Sequence, residues 1–265
     1  MEKWEEYLDE AGEAWEEENF SECIKWSTKA IDAGCREIKI YSLRGYCNLE
    51  IGNYREAVHD LDIYLVKKKG DLMMTLMRGI AHLNLQNLNQ ALADFNKALK
   101  KLTDDKDAYY YRGVTLSYLE KHKMAIKDLD KAVKLGCNEE LLYRQRGLSH
   151  YCLNQLEAAK NDLIKHTKLR DTDAPCFFIL GKIEQESGNL KKAIKYISRA
   201  IYIDGEKSEY YISRMHLYLQ TDQGEKSTAD FHKAMEVNPD HVGMVIGGKF
   251  IPINDLGKAE RKKKK

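Results

Sequence analysis

Proline is nearly absent. Three occur in 265 residues, at Pro175, Pro239 and Pro252, so almost nowhere is helix barred by a locked φ and a missing N–H. No apolar run approaches the roughly eighteen residues of a membrane span. A secretory leader is lacking too: Met1 runs straight into Glu2, Glu5, Glu6, Asp9 and Glu10, with neither a basic start nor an apolar core. The six cysteines, Cys23, Cys35, Cys47, Cys137, Cys152 and Cys176, show no CxxC or zinc-ligand spacing, and a chain this long builds a core without disulfides. A soluble, intracellular, cytoplasmic protein with reduced structural thiols is expected. Excess charge of one sign is missing as well. Lys and Arg total 43 against 42 Asp and Glu, which argues against whole-molecule attraction to nucleic acid or membrane. The ends differ: residues 1–37 hold twelve acids and four bases, residues 242–265 seven bases and two acids.

Catalytic constellations are missing in the same way. The eight histidines show no HxxxH or HExxH metal spacing. No GxxxxGK[ST] or GxGxxG loop is present to cradle phosphate. No catalytic residue, metal or cofactor is expected, and the chain does not read as an enzyme.

What is present is repetition. Rows of 34 residues beginning at Trp4, Ile38, Leu72, Lys106, Glu140, Ala174 and Ser208 align without a gap. Position 8 then reads Ala11, Gly45, Gly79, Gly113, Gly147, Gly181 and Met215. Position 20 reads Cys23, Ala57, Ala91, Ala125, Ala159, Ala193 and Ser227, and position 27 reads Ala30, Tyr64, Ala98, Ala132, His166, Ala200 and Ala234. A glycine within a helix costs about 1 kcal/mol relative to alanine. Its recurrence at position 8 therefore implies close approach of two antiparallel helices. Large residues fill the space around it, with Tyr41, Tyr109, Tyr143 and Phe177 at position 4 and Leu61, Phe95, Leu129, Leu163 and Ile197 at position 24. Gly52-Asn53 and Gly188-Asn189 mark turns where glycine stops one helix and asparagine begins the next.

This pattern resembles the tetratricopeptide repeat, a 34-residue helix-turn-helix unit. The resemblance covers residues 4–241 and implies an all-α fold, a right-handed superhelical solenoid of seven repeats: 4–37, 38–71, 72–105, 106–139, 140–173, 174–207 and 208–241. An apolar cap segment, 242–256, and a basic tail, 257–265, follow. Repeat 1, crowded with Glu13, Glu16, Glu17 and Glu18, reads as a solvated end cap.

A second regularity pairs Arg at position 7 with Asp at position 23 in five repeats: Arg44 with Asp60, Arg78 with Asp94, Arg112 with Asp128, Arg146 with Asp162, and Arg214 with Asp230. Repeats 1 and 6 lack both members, having Glu10 with Trp26 and Leu180 with Tyr196. Arginine forks match carboxylates, so these are expected to be partly buried structural bridges between the two helices of one repeat.

The resemblance further implies that positions 2, 5, 6, 9, 12 and 13 of each first helix line a concave groove that receives a peptide. Those positions supply Tyr46 and Leu49 in repeat 2; Met73, Leu76, Met77, Ile80 and Leu83 in repeat 3; Tyr110, Tyr111, Val114 and Tyr118 in repeat 4; Arg144, Leu148 and Tyr151 in repeat 5; and Phe178 and Lys182 in repeat 6. Such a face needs covering, by a partner, by neighbouring first helices or by the chain's own C-terminal segment. The family's clamp for acidic chaperone peptides needs Lys at position 5 and Asn at position 9. Here position 5 reads Leu8, Ser42, Leu76, Tyr110, Arg144, Phe178 and Ile212, so any co-chaperone-like role would dispense with that clamp.

The expected function is a scaffold or adaptor that binds an apolar or amphipathic segment of another protein. The alternative is a structural component of a cytoskeletal or ciliary assembly. Residues 242–256 read as an irregular cap, a docking strand or a self-inhibiting plug. Arg261 to Lys265 resemble a nuclear-import signal or a contact for phosphate or acidic surfaces.

Overall fold

A computed structural model of the chain describes residues 2–241, 243–246 and 249–252. Among the described residues it forms fourteen α-helices, a short 3-10 turn and two strands. The chain divides into two compact units, Met1–Leu142 and Tyr143–Lys265. The first contains α1 (Lys3–Glu16), α2 (Phe20–Asp32), α3 (Lys39–Glu50), α4 (Tyr54–Lys67), α5 (Leu72–Asn84), α6 (Leu88–Ala98), α7 (Lys106–Tyr118) and α8 (His122–Lys134). The second runs from Tyr143 within α9 (Glu140–Cys152) through α10 (Leu156–Leu169), α11 (Ala174–Glu186), α12 (Leu190–Ile203), α13 (Ser208–Gln220) and α14 (Gly224–Val237). Odd-numbered helices pair with the even-numbered helices that follow, and within each unit the second helix of one hairpin also packs on the first helix of the next. The fold is all-α and built of stacked helical hairpins. No described helix is long and apolar enough to cross a membrane.

Position 15 turns every hairpin. It lies in the left-handed region in all seven, with φ from 55° to 84°. Gly52 and Gly188 take this conformation at no steric cost, whereas Glu18, Gln86, Glu120, Asn154 and Asp222 take it with a Cβ. The next residue caps the following helix, but Asn53 and Asn189 do not cap with their side chains. They donate back to Asn48 and Glu184 instead. Aspartates at position 34 do cap: Asp71, Asp105 and Asp173 accept from Met74, Ala108 and Cys176 N–H groups at 3.1, 2.8 and 3.2 Å.

The position-8 glycines sit against the position-24 side chains. A Cβ placed on Gly79 would lie 2.7 Å from Phe95, on Gly113 2.8 Å from Leu129, and on Gly181 2.5 Å from Ile197 Cγ1. Each opposing residue is fully buried. Beside these contacts, five arginines fork onto aspartates through Nε and Nη2. For Arg44 and Asp60 both bonds are 2.8 Å; for Arg78 and Asp94 they are 2.8 and 2.6 Å. The same fork joins Arg112 to Asp128, Arg146 to Asp162 and Arg214 to Asp230. The bonded Asp60 carboxylate in turn holds the Arg44 guanidinium above its ordinary pKa.

In at least four of these arginines the remaining nitrogen, Nη1, reaches back 16 residues to the preceding hairpin. The acceptors are Thr28, Asp62, Asn96 and Ser198, at 3.0, 2.5, 3.1 and 2.9 Å. The fork therefore ties hairpin to hairpin as well as helix to helix. In repeat 6 the set changes as a block, since Leu180 is buried with Ile164 and Tyr196 packed against it.

After Pro239, the segment expected as an irregular cap contains a two-stranded antiparallel hairpin, β1 (Gly243–Ile246) with β2 (Lys249–Pro252), in a register that pairs Val245 with Phe250. Residues 253–265, including the basic tail, lie outside the described residues.

Two stability tests follow from this packing. Gly181→Ala should destabilise the chain by about 1–3 kcal/mol in urea unfolding, because overpacking outweighs the gain of about 1 kcal/mol in helix propensity; a stabilised variant would show that the gap can open. Arg44→Leu leaves Asp60 buried without its guanidinium and should cost about 3–5 kcal/mol, while the triple change Thr28→Ile, Arg44→Leu, Asp60→Tyr, copying repeat 6, should recover most of that loss.

Candidate functional site

The first helices of the leading unit leave a cleft along α1, α3, α5 and α7. At one end a cavity of about 650 Å³ is lined by Leu8, Trp15, Leu43, Tyr46, Tyr64, Met73 and Met77, among others. At the other a cavity of about 560 Å³ is lined by Leu49, Met73, Leu76, Met77, Ile80, Tyr110 and Tyr111, with Glu50, Asp105, Asp107 and Glu139 around them. Met73 and Met77 line both cavities, so α5 supplies their shared wall. Methionine is unbranched and adapts to irregular partners, and tyrosine adds contact area with a polar tip. Burial pushes the hydroxyls of Tyr110 and Tyr111 up, that of Tyr111 to about 12, with Glu139 and Asp107 adding to the shift. Both are therefore neutral donors at physiological pH.

Packing takes up a large part of the face expected to be free. Leu49, Leu76, Leu83, Tyr110 and Val114 are buried, Leu76 to 2% exposure. Positions 5 and 12 serve as core as much as surface, because neighbouring first helices touch there. What remains accessible in the leading unit is Met73, at 44% exposure, and Tyr118, with Tyr46, Met77, Ile80 and Tyr111 half-buried. Tyr118 lines neither cavity.

In the second unit, the expected contact residues are engaged within the fold. Phe178 is buried with its ring 4.7 Å from that of Tyr210, and Lys182 lies over the same ring. Leu148 and Tyr151 pack on the core around Leu163 and Leu180. Arg144, expected to meet a peptide, instead donates through Nε to Asp173 at 2.8 Å. It is a structural cation.

Sequence reasoning passed over the carboxylates. Glu50, Asp105, Asp107 and Glu139 stand at positions 13, 34, 2 and 34 of their repeats, next to apolar residues that drew the reading. A column count of acids at the helix ends would have found them.

Among the described residues one cluster brings together groups able to ligate a metal: His166, Asp173 and Cys176 offer atoms within 4.8 Å of one another. They do not fit a metal ion. The Asp173 oxygen that faces His166, at 2.9 Å, already accepts from Arg144, and a cation there would oppose the guanidinium. Burial also pushes the Cys176 thiol up to about 12, away from the thiolate a metal requires. At the same two repeat positions Tyr64 donates to Asp71 at 2.9 Å. His166 thus makes the same link between the end of one hairpin and the capping aspartate of the next.

That aspartate is one acid-sensitive element of the fold. Burial pushes the Asp173 carboxyl up, but the bonds from Arg144, His166 and the Cys176 N–H outweigh it and hold the carboxyl below its ordinary value of 3.8. A depressed folded-state pKa stabilises the fold above the unfolded value, about 3.9, and this contribution is lost as pH falls through the folded one. Asp173→Asn should lower the melting temperature at pH 7 and flatten its fall below about pH 4; parallel melting curves for variant and parent would remove Asp173 from the acid limb.

Residues 106–135 and 174–207 match the tetratricopeptide repeat family model. No curated protein matches the chain. Among solved structures, the chain is similar to YrrB, a TPR protein with an unusual peptide-binding site, with a TM-score of 0.60 and 23% identity over 68% of this chain and 93% of that one. MamA from Desulfovibrio magneticus RS-1 gives a TM-score of 0.57 and 21% identity over 65% and 98%. The C-terminal part of a TPR repeat-containing protein from Cytophaga hutchinsonii gives 0.62 and 16% over 86% and 94%. At these identities the likeness is one of fold. Two stretches of the chain thus match the tetratricopeptide repeat family model, and the chain shares the stacked-hairpin fold of these proteins.

Proposed function

We propose that this chain is a protein-interaction scaffold, without catalysis of its own, whose α1–α3–α5–α7 cleft binds an apolar or amphipathic segment of a partner protein. The observation that carries this reading is the pair of cavities sharing Met73 and Met77. Among the described residues Met73 is exposed there and Tyr46, Met77, Ile80 and Tyr111 are half-buried, and such a surface suits burial of a peptide's side chains. YrrB, of the same fold, has a peptide-binding site. Six free thiols, five of them buried, suit a reducing compartment such as the cytoplasm.

The double variant Met73→Asp, Met77→Asp should abolish recovery of partners in crosslinking from the native cell, since each buried methionine contributes about 1.5–3 kcal/mol. Met124→Asp, at an exposed site on α8, should leave recovery intact. An unchanged partner set from the double variant would exclude the cleft.

A further inference from the structure

The cavity between α3, α5 and α7 differs from its neighbour in charge. Four carboxylates line it, those of Glu50, Asp105, Asp107 and Glu139, and among the described residues no Lys, Arg or His does. The neighbouring cavity sets Lys39 beside Glu37. Asp105 is committed locally, because it caps α7 through the Ala108 N–H. Glu50, at the end of α3, Asp107, in the first turn of α7, and Glu139, which precedes α9, are exposed. They come from three separate segments and act on one place. After burial, Glu139, Asp107 and Glu50 are among the groups that raise the Tyr111 hydroxyl. Converging negative charge beside an apolar floor attracts a counter-charge and repels an acidic peptide.

We propose that this cavity takes a cationic amphipathic segment of a partner protein, with its apolar side chains on Met77, Ile80 and Tyr111 and its Lys or Arg side chains at Glu50, Asp107 and Glu139. The inference rests on the cleft being a binding site, as argued above. It adds the sign of the partner. Apolar burial supplies the bulk of the affinity, and the three carboxylates supply selection, because exposed ion pairs contribute little singly and add up across a cluster.

The test uses the full chain and fluorescence anisotropy with three labelled synthetic peptides of one leucine pattern, whose polar positions are all Lys, all Gln or all Glu. The Lys peptide should bind at least about tenfold more tightly than the Gln peptide, and the Glu peptide should not bind. Raising salt from about 50 to about 300 mM should shrink the Lys advantage, as screening requires. In Glu50→Gln, Asp107→Asn, Glu139→Gln, affinity for the Lys peptide should fall about tenfold while that for the Gln peptide stays unchanged. These amides keep the size of exposed side chains, and an unchanged melting curve verifies the fold. Equal binding of the Lys and Gln peptides, or a Lys affinity untouched by the triple change, overturns the cationic partner. The binding cleft then still stands if Met73→Asp, Met77→Asp abolishes both affinities. Binding of no peptide, or binding indifferent to the methionine variant, overturns the cleft and this inference together.

Discussion

The guanidinium–carboxylate fork between the two helices of a hairpin sets the spacing to which the rest of the structure conforms. Arginine at position 7 reaches aspartate at position 23 only if the helices approach closely. In four of the five forked repeats the residues beside the pair suit that approach, with glycine at position 8 and a large apolar side chain at position 24, while repeat 7 carries Met215 at position 8. The coupling is direct, since a Cβ on Gly45, Gly79 or Gly147 would lie 3.2 Å from the Cβ of Asp60, Asp94 or Asp162. The glycine's cost in helix propensity is thus offset by apolar packing and ionic pairing at once. Because Nη1 of the same arginine reaches back one hairpin, helix pairing and hairpin stacking depend on one side chain.

Repeat 6 shows what the fork can be exchanged for. Ile164, Leu180 and Tyr196 occupy the three positions that in the five forked repeats hold a polar residue, Arg and Asp. Taking two charges out of water is expensive, so a well-packed apolar set of similar volume can match a buried ion pair in stability. Losing one member alone has no such compensation. That all three positions differ together in repeat 6 agrees with this physics.

The same economy shapes the face proposed to bind. First helices lie close enough to bury Leu49, Leu76, Leu83 and Val114 against their neighbours, leaving a cleft narrower than the full run of apolar positions. Its accessible wall is the methionine pair of α5, and its rim is acidic. In the second unit Arg144 and Phe178 are engaged with Asp173 and Tyr210.

The sequence alone determined the hairpin fold and the partners within it, because a 34-residue period puts like residues into like environments, and glycine, arginine and aspartate in fixed columns have few geometries that satisfy them all. It also set the chemistry available to a partner, by placing Met73, Met77, Tyr110 and Tyr111 on first helices. Only the tertiary structure decided which of those side chains stay accessible, since burial depends on how closely neighbouring hairpins stack and no single helix encodes that distance. It likewise decided that Arg144 and His166 converge on Asp173, and that Glu50, Asp107 and Glu139, separated by up to 89 residues, surround one cavity. Charges that far apart in the chain act together only when folding brings their segments to a common face.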